Sequence, residues 1–127
     1  MKVNGKIIIV TGGGSGMGRE LTILLVSKGA KVIIADIREK AMLETADLAG
    51  ADSVHPYVPD ISDRTAVESF HEHVMAEHKM VDGLINNAGI IQPFIHVDEL
   101  DYHTIERIMN INFYGTLFMA KPLYLIL

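Results

Sequence analysis

Residues 11–20 read TGGGSGMGRE, with five glycines in ten positions, and they follow directly on the β-branched run KIIIV at 6–10. The apolar run reads as a strand buried on both faces. After Gly16 the pattern changes period: Met17, Leu21, Leu24 and Leu25 fall at i, i+4, i+7 and i+8, a helix stripe that Gly29 can stop. A strand, a glycine turn and a helix N-terminus in succession make a phosphate cradle. The first helical N–H groups lack partners and carry partial positive charge, and glycines let an anion approach them closely. The same turn would also serve as a plain tight connection.

Three glycine motifs compete for this stretch. A P-loop needs GxxxxGK[ST], but residues 13–20 place Arg19 at the lysine and Glu20 at the magnesium-binding hydroxyl. The dinucleotide pattern GxGxxG fails because Met17 stands at its third glycine. TGxxxGxG fits, on Thr11, Gly12, Gly16 and Gly18.

The rest of the chain repeats the alternation. KVIIAD (31–36) reads as a second buried strand and REKAMLETADLAG (38–50) as a second helix. SVHPYVPD (53–60) reads as a third strand despite two prolines. Ser62 or Asp63 can cap a third helix through Val67, Phe70 and Val74. DGLINNAG (82–89) reads as a fourth strand with a turn, and a last helix starts near Asp98 or Asp101 and runs past 115. Such alternation predicts an α/β fold, with a parallel sheet in the order 3-2-1-4 and helices on both faces. That is an incomplete doubly wound domain, which residues 1–127 form as one unit.

Asp36 ends the second strand, 18 residues beyond Gly18. A carboxylate there can accept both ribose hydroxyls of an adenosine and would repel a 2′-phosphate. Neighbouring Ser15 and Ile37 are not basic, which favours NAD over NADP; Arg38 is the one nearby cation that complicates this. Asp36 could instead cap the next helix.

Together these residues resemble the short-chain dehydrogenase/reductase family: Thr11-Gly12-xxx-Gly16-x-Gly18, Asp36, Asp60, NNAG at 86–89 and INFYG at 111–115, in the family's order and over nearly the whole chain. The resemblance implies a Rossmann-type fold and a nicotinamide cofactor. It places the pyrophosphate and its ribose on Gly12, Gly14, Ser15, Gly16, Met17 and Gly18, and the adenosine ribose on Asp36. Asp60 and the Ile61 backbone would hold the adenine. Asn87, Ala88 and Gly89 would line the groove and brace the central strand. A homo-oligomer acting on a small alcohol or carbonyl compound is implied for the full-length form.

Ile105, Ile108, Met109, Asn112, Thr116 and Met119 share one helical stripe, which points Asn112 toward the core, while Asn110 sits about 140° from Ile105. A buried amide must find partners. In the family the matching asparagine interrupts the regular helix and holds a water in a proton relay, which makes Asn112 the candidate catalytic residue; a purely structural role is the alternative. The family's proton carrier is the tyrosine of Tyr-x-x-x-Lys, its pKa lowered from about 10 by the lysine. Four residues after Tyr57, Tyr102 and Tyr114 stand Ile61, Glu106 and Phe118, and Tyr124 has too few residues after it, so the motif is absent. The serine-bearing fifth strand is missing too. The expectation is the N-terminal cofactor-binding part of an NAD-dependent oxidoreductase, inactive alone, with the fourth strand left as an open edge and a sticky tail in PLYLIL. The rivals are a catalytically inactive dinucleotide-binding or interaction module and a non-functional truncated product.

Composition narrows the rest. A net charge of −5 argues against nucleic acid or an anionic membrane surface as the main partner. No apolar run approaches the roughly 18 residues of a membrane helix, and a cytoplasmic location is the default. The absence of cysteine removes disulfides and thiolate metal sites. In HEHVMAEH (71–78), His71 and His78 can share a helix face, but a solvated face is the better reading, and His55, His96 and His103 show no ligand spacing; no metal site is expected.

Overall fold

The computed structural model describes residues 2–124. Four parallel strands form one sheet in the order β3-β2-β1-β4: β1 Ile7–Thr11, β2 Lys31–Ala35, β3 Val54–Tyr57 and β4 Gly83–Ile85. Helix α1 (Gly16–Ser27) links β1 to β2, α2 (Glu39–Ala49) links β2 to β3, and α3 (Arg64–His78) links β3 to β4. After β4 the chain enters α4 (Tyr102–Met109), a π-helical segment over Asn110–Gly115, and the short α5 (Thr116–Ala120). This is the Rossmann-type doubly wound topology, with β4 at one edge of the sheet. Residues 125–127 of the apolar tail lie outside the described residues.

Alternation along the strands feeds two cores. Ile8, Val10, Val32 and Ile34 face α1 and α2, where Leu25, Met42 and Ala46 meet them. Ile9, Ile33 and Ala35 face the opposite way, toward Val67, Phe70, Val74 and Met119. The central strands are thus buried on both faces, which is why they read as unbroken apolar runs.

The strands predicted at 53–60 and 82–89 are shorter, because Pro59 and the NNAG turn take the backbone out of the ladder. Asp63 caps α3 by accepting from the Ala66 N–H at 3.2 Å, and Asp101 caps α4 through the Thr104 N–H at 2.7 Å. The expected α1 stripe is rotated. Gly18, Thr22 and Leu25 are its buried residues, whereas Met17 is 80% exposed. The cause is the close approach of α1 to the turn: a Cβ on Gly18 would sit inside the Gly12 carbonyl and against Asn87. Among the described residues no helix is long and apolar enough to cross a membrane.

Gly18→Ala forces backbone apart and is expected to cost about 3 kcal/mol, the upper range of overpacking. Gly16→Ala meets open space and bears only its left-handed backbone at φ +55°, for about 1–2 kcal/mol. Urea midpoints of the two variants check this order.

Candidate functional site

The carboxyl ends of β1, β2 and β4 open onto a cleft of about 490 Å³. That volume lies within the range of small-molecule sites. The glycine turn contributes Gly12 and Ser15, the end of β2 contributes Asp36, the segment after β3 contributes Asp60 and Ile61, and the turn after β4 contributes Asn87, Ala88 and Gly89. The cleft sits at the point where the strand order reverses, the usual ligand position in an open α/β sheet.

A hydrogen-bond bracket holds β1 and β4 at this point. The buried Thr11 hydroxyl accepts from the Asn87 N–H at 3.0 Å and the Ala88 N–H at 2.9 Å. The Asn87 side-chain amide donates back to the carbonyls of Thr11 at 3.1 Å and Gly12 at 3.3 Å. Gly12 itself bends the turn at φ +69°. The sequence implied a bracing role for NNAG but not its partner, which is the first letter of the glycine motif.

The N-terminus of α1 opens beside Gly12 and Ser15. Ser15 is the N-cap residue, yet its side chain makes no cap hydrogen bond and the first turn holds no acidic residue. The Gly16, Met17 and Gly18 backbone therefore presents N–H groups without a side-chain acceptor, while the Met17 side chain points to solvent. Gly14 lies off the cleft wall with its N–H donated to Asp36 at 3.0 Å. Arg19 turns away: it donates to the Gly14 and Ala41 carbonyls and to Thr45 Oγ1, and pairs with Glu44 at 3.2 Å, fastening α1 to α2.

Asp36 is nearly buried and does not cap α2, which starts at Glu39 with Arg38 as its N-cap. Its carboxylate accepts from the Gly14 N–H, the Arg38 N–H at 3.0 Å and the Arg38 guanidinium at 3.0 Å. Burial pushes its pKa up, but the Arg38 side chain and the two backbone N–H groups outweigh that and hold it below the usual value. Arg38 also donates to Ser15 Oγ at 3.0 Å. Asp60 Oδ1 accepts from the Ser62 N–H and hydroxyl, at 2.9 and 2.6 Å, which fixes the carboxylate at the cleft edge.

Asn112 stands apart from the expectation that it faces the core. It is exposed, as are Ile105 and Met109 of the same stripe: α4 buries no residue, and the π segment at 110–115 buries only Gly115. Its amide grips the backbone after NNAG, donating to the Ile90 carbonyl at 2.7 Å and accepting from the Ile90 N–H at 2.9 Å. Gly115 lets the same segment approach Ile61, whose side chain a Cβ there would meet at 2.9 Å. Arg107 and Ile111 of this helix line the cleft, as do Ile37 and Arg38. No motif singled out Arg107; only the helix packing brings it there. His71, expected on a solvated face, is buried beside Phe70, and burial lowers its pKa, with the Met119 backbone a smaller opposing influence.

The family model for short chain dehydrogenases matches residues 6–125. The chain is 33% identical to Short-chain dehydrogenase reductase 3b of Arabidopsis thaliana, over 94% of this chain and 47% of that protein. It is 40% identical to Probable oxidoreductase EphD of Mycobacterium tuberculosis, over 86% of this chain and 19% of that protein. The crystal structure of 3-ketoacyl-(acyl-carrier-protein) reductase from Brucella melitensis complexed with NADH superposes with a TM-score of 0.92 at 29% identity, over 98% of this chain and 51% of that one. The chain thus belongs to the short-chain dehydrogenase family, and it spans about half the length of the Arabidopsis relatives it matches.

Two variants test the bracket and the carboxylate. Thr11→Val leaves the Asn87 and Ala88 N–H groups unpaired and is expected to cost about 1–3 kcal/mol, with Thr11→Ser recovering most of it; urea midpoints read both. Because Asp36 binds its proton less readily folded than unfolded, its contribution is complete above about pH 4 and fades as the pH falls through its folded value. The stability difference between the native chain and Asp36→Asn is therefore constant from pH 7 to 5 and shrinks by pH 3, measured by the same denaturation.

Proposed function

We propose that this chain is the NAD-binding part of an oxidoreductase that exchanges hydride between the cofactor and a small alcohol or carbonyl compound. The observation that carries this reading is Asp36, a nearly buried carboxylate at the end of β2 that faces the cleft and is already ionised by its donors. The residues present fit a dinucleotide. The α1 N-terminus offers uncapped N–H groups and no competing carboxylate in its first turn, the arrangement that suits a pyrophosphate. Asp36 would accept the adenosine ribose hydroxyls, displacing the Arg38 guanidinium into solvent, where half of that side chain already lies. Asp60 and Ile61 would hold the adenine, and Asn87 to Gly89 would line the nicotinamide half of the groove. When bound, the nicotinamide carries the hydride.

Asn112 is assigned a positioning role: its side-chain amide ties the π segment to the Ile90 backbone after NNAG. The chain has no Tyr-x-x-x-Lys, so it binds cofactor without turnover. The exposed apolar residues Phe94, Val97, Tyr102, Phe113 and Leu117 along the β4 side support association with another copy.

Binding of NADH and NADPH to the chain, followed by nicotinamide fluorescence, tests the reading. NADH is expected to bind at least about tenfold more tightly, a difference of about 1.4 kcal/mol. Asp36→Ala, which frees Arg38 to meet a 2′-phosphate, is expected to erase that preference. Equal or tighter NADPH binding by the native chain would overturn the NAD assignment, and no binding of either would overturn the cofactor role.

A further inference from the structure

Away from the cleft, β3 and the last turn of α3 bring together groups that lie far apart in sequence. His55 and Tyr57 are two residues apart on the edge strand and so project to the same face, toward α3. Glu77 and His78 end α3. The ligating atoms of His55, Glu77 and His78 all lie within 4.8 Å of one another. The His55 and His78 rings meet edge to face with centroids 4.6 Å apart. The Tyr57 hydroxyl donates to the Glu77 carboxylate and lies 3.2 Å from His78 Nε2.

We infer that His55, Glu77 and His78 form a binding site for a divalent transition-metal ion, with zinc the best match, that staples the edge strand to the end of α3. Two imidazoles and one carboxylate are a donor set zinc takes with one position left for water. Ligands at about 2.0–2.1 Å in a tetrahedron stand roughly 3.3–3.4 Å apart, so side-chain rotations of about an ångström or two close the site. Tyr57 supplies what a metal-bound carboxylate usually has, a hydrogen-bond donor that fixes its orientation. Lys31 is a further cation near His55, and His73 is the other imidazole near Glu77.

The site lies between β3 and the last turn of α3, and none of its three ligands lines the cleft. It therefore stands or falls independently of the cofactor reading. Its place also suits a purpose: β3 is an open edge, and an edge held by a metal is less free to pair with another chain.

The test is titration of the chelator-treated chain with Co²⁺, followed by its visible absorption, and with Zn²⁺ by calorimetry. The expected result is one equivalent of Co²⁺ with the intense band of a four-coordinate site, displaced by one Zn²⁺. His55→Ala, His78→Ala and the shape-preserving Glu77→Gln should each remove this step. His73→Ala should keep it, and Tyr57→Phe should weaken it by about tenfold with the ligands intact. NADH binding should be the same with and without metal. Absence of the step in the native chain, its persistence in the His55→Ala/His78→Ala double variant, or its loss in His73→Ala alone would overturn the site.

Discussion

The Thr11 hydroxyl and the Asn87 amide join the ends of two adjacent strands through residues 75 or 76 apart in sequence. Everything at the carboxyl edge depends on that joint. It fixes the distance between the glycine turn and the turn after β4, and so the width of the cleft. It also demands that α1 press against the turn, which only a glycine at 18 permits. The glycines thus have two distinct tasks. Gly12 and Gly16 supply left-handed backbone, and Gly18 supplies absence of volume.

Much of the fold was legible because the strands are buried on both faces. Runs such as KIIIV and KVIIA leave no choice of exposed side, and alternation with helices leaves few topologies, so the order 3-2-1-4 follows. Gly12 and Asp36 are legible because each stands at or just beyond a strand end; Asp60 and Asn87 follow from the family resemblance, and all of them line one cleft with Ser15. What spacing could not give was contact between elements. The buried face of α1 departs from the apolar stripe because a helix that packs through glycine buries its small side, not its large one. The 3.6-residue period that points Asn112 toward the core identifies an apolar face of α4, but that face is not covered: Ile105 and Met109 are exposed with it. The meeting of His55 with His78 had no sequence signal, since strand and helix residues share no common period.

Asp36 carries architecture and, in the proposed reading, recognition as well. Its bond to the Gly14 N–H closes the turn onto the end of β2, and its pair with Arg38 keeps the carboxylate charged despite burial. A ligand with free ribose hydroxyls can take the place of the guanidinium without leaving the carboxylate unpaired. A phosphorylated ribose would instead bring a second negative charge against it, with Arg38 alone to compensate. In the proposed reading, the balance between these two neighbours would set the cofactor preference.

The most direct measurement is a backbone amide NMR map of the isotope-labelled chain titrated with NADH. The account predicts shifts confined to Gly12–Gly18, Asp36–Arg38, Asp60–Ile61 and Asn87–Gly89, with His55 and His78 unmoved. Shifts absent from these turns, or clustered instead on the exposed face of α4, would contradict it.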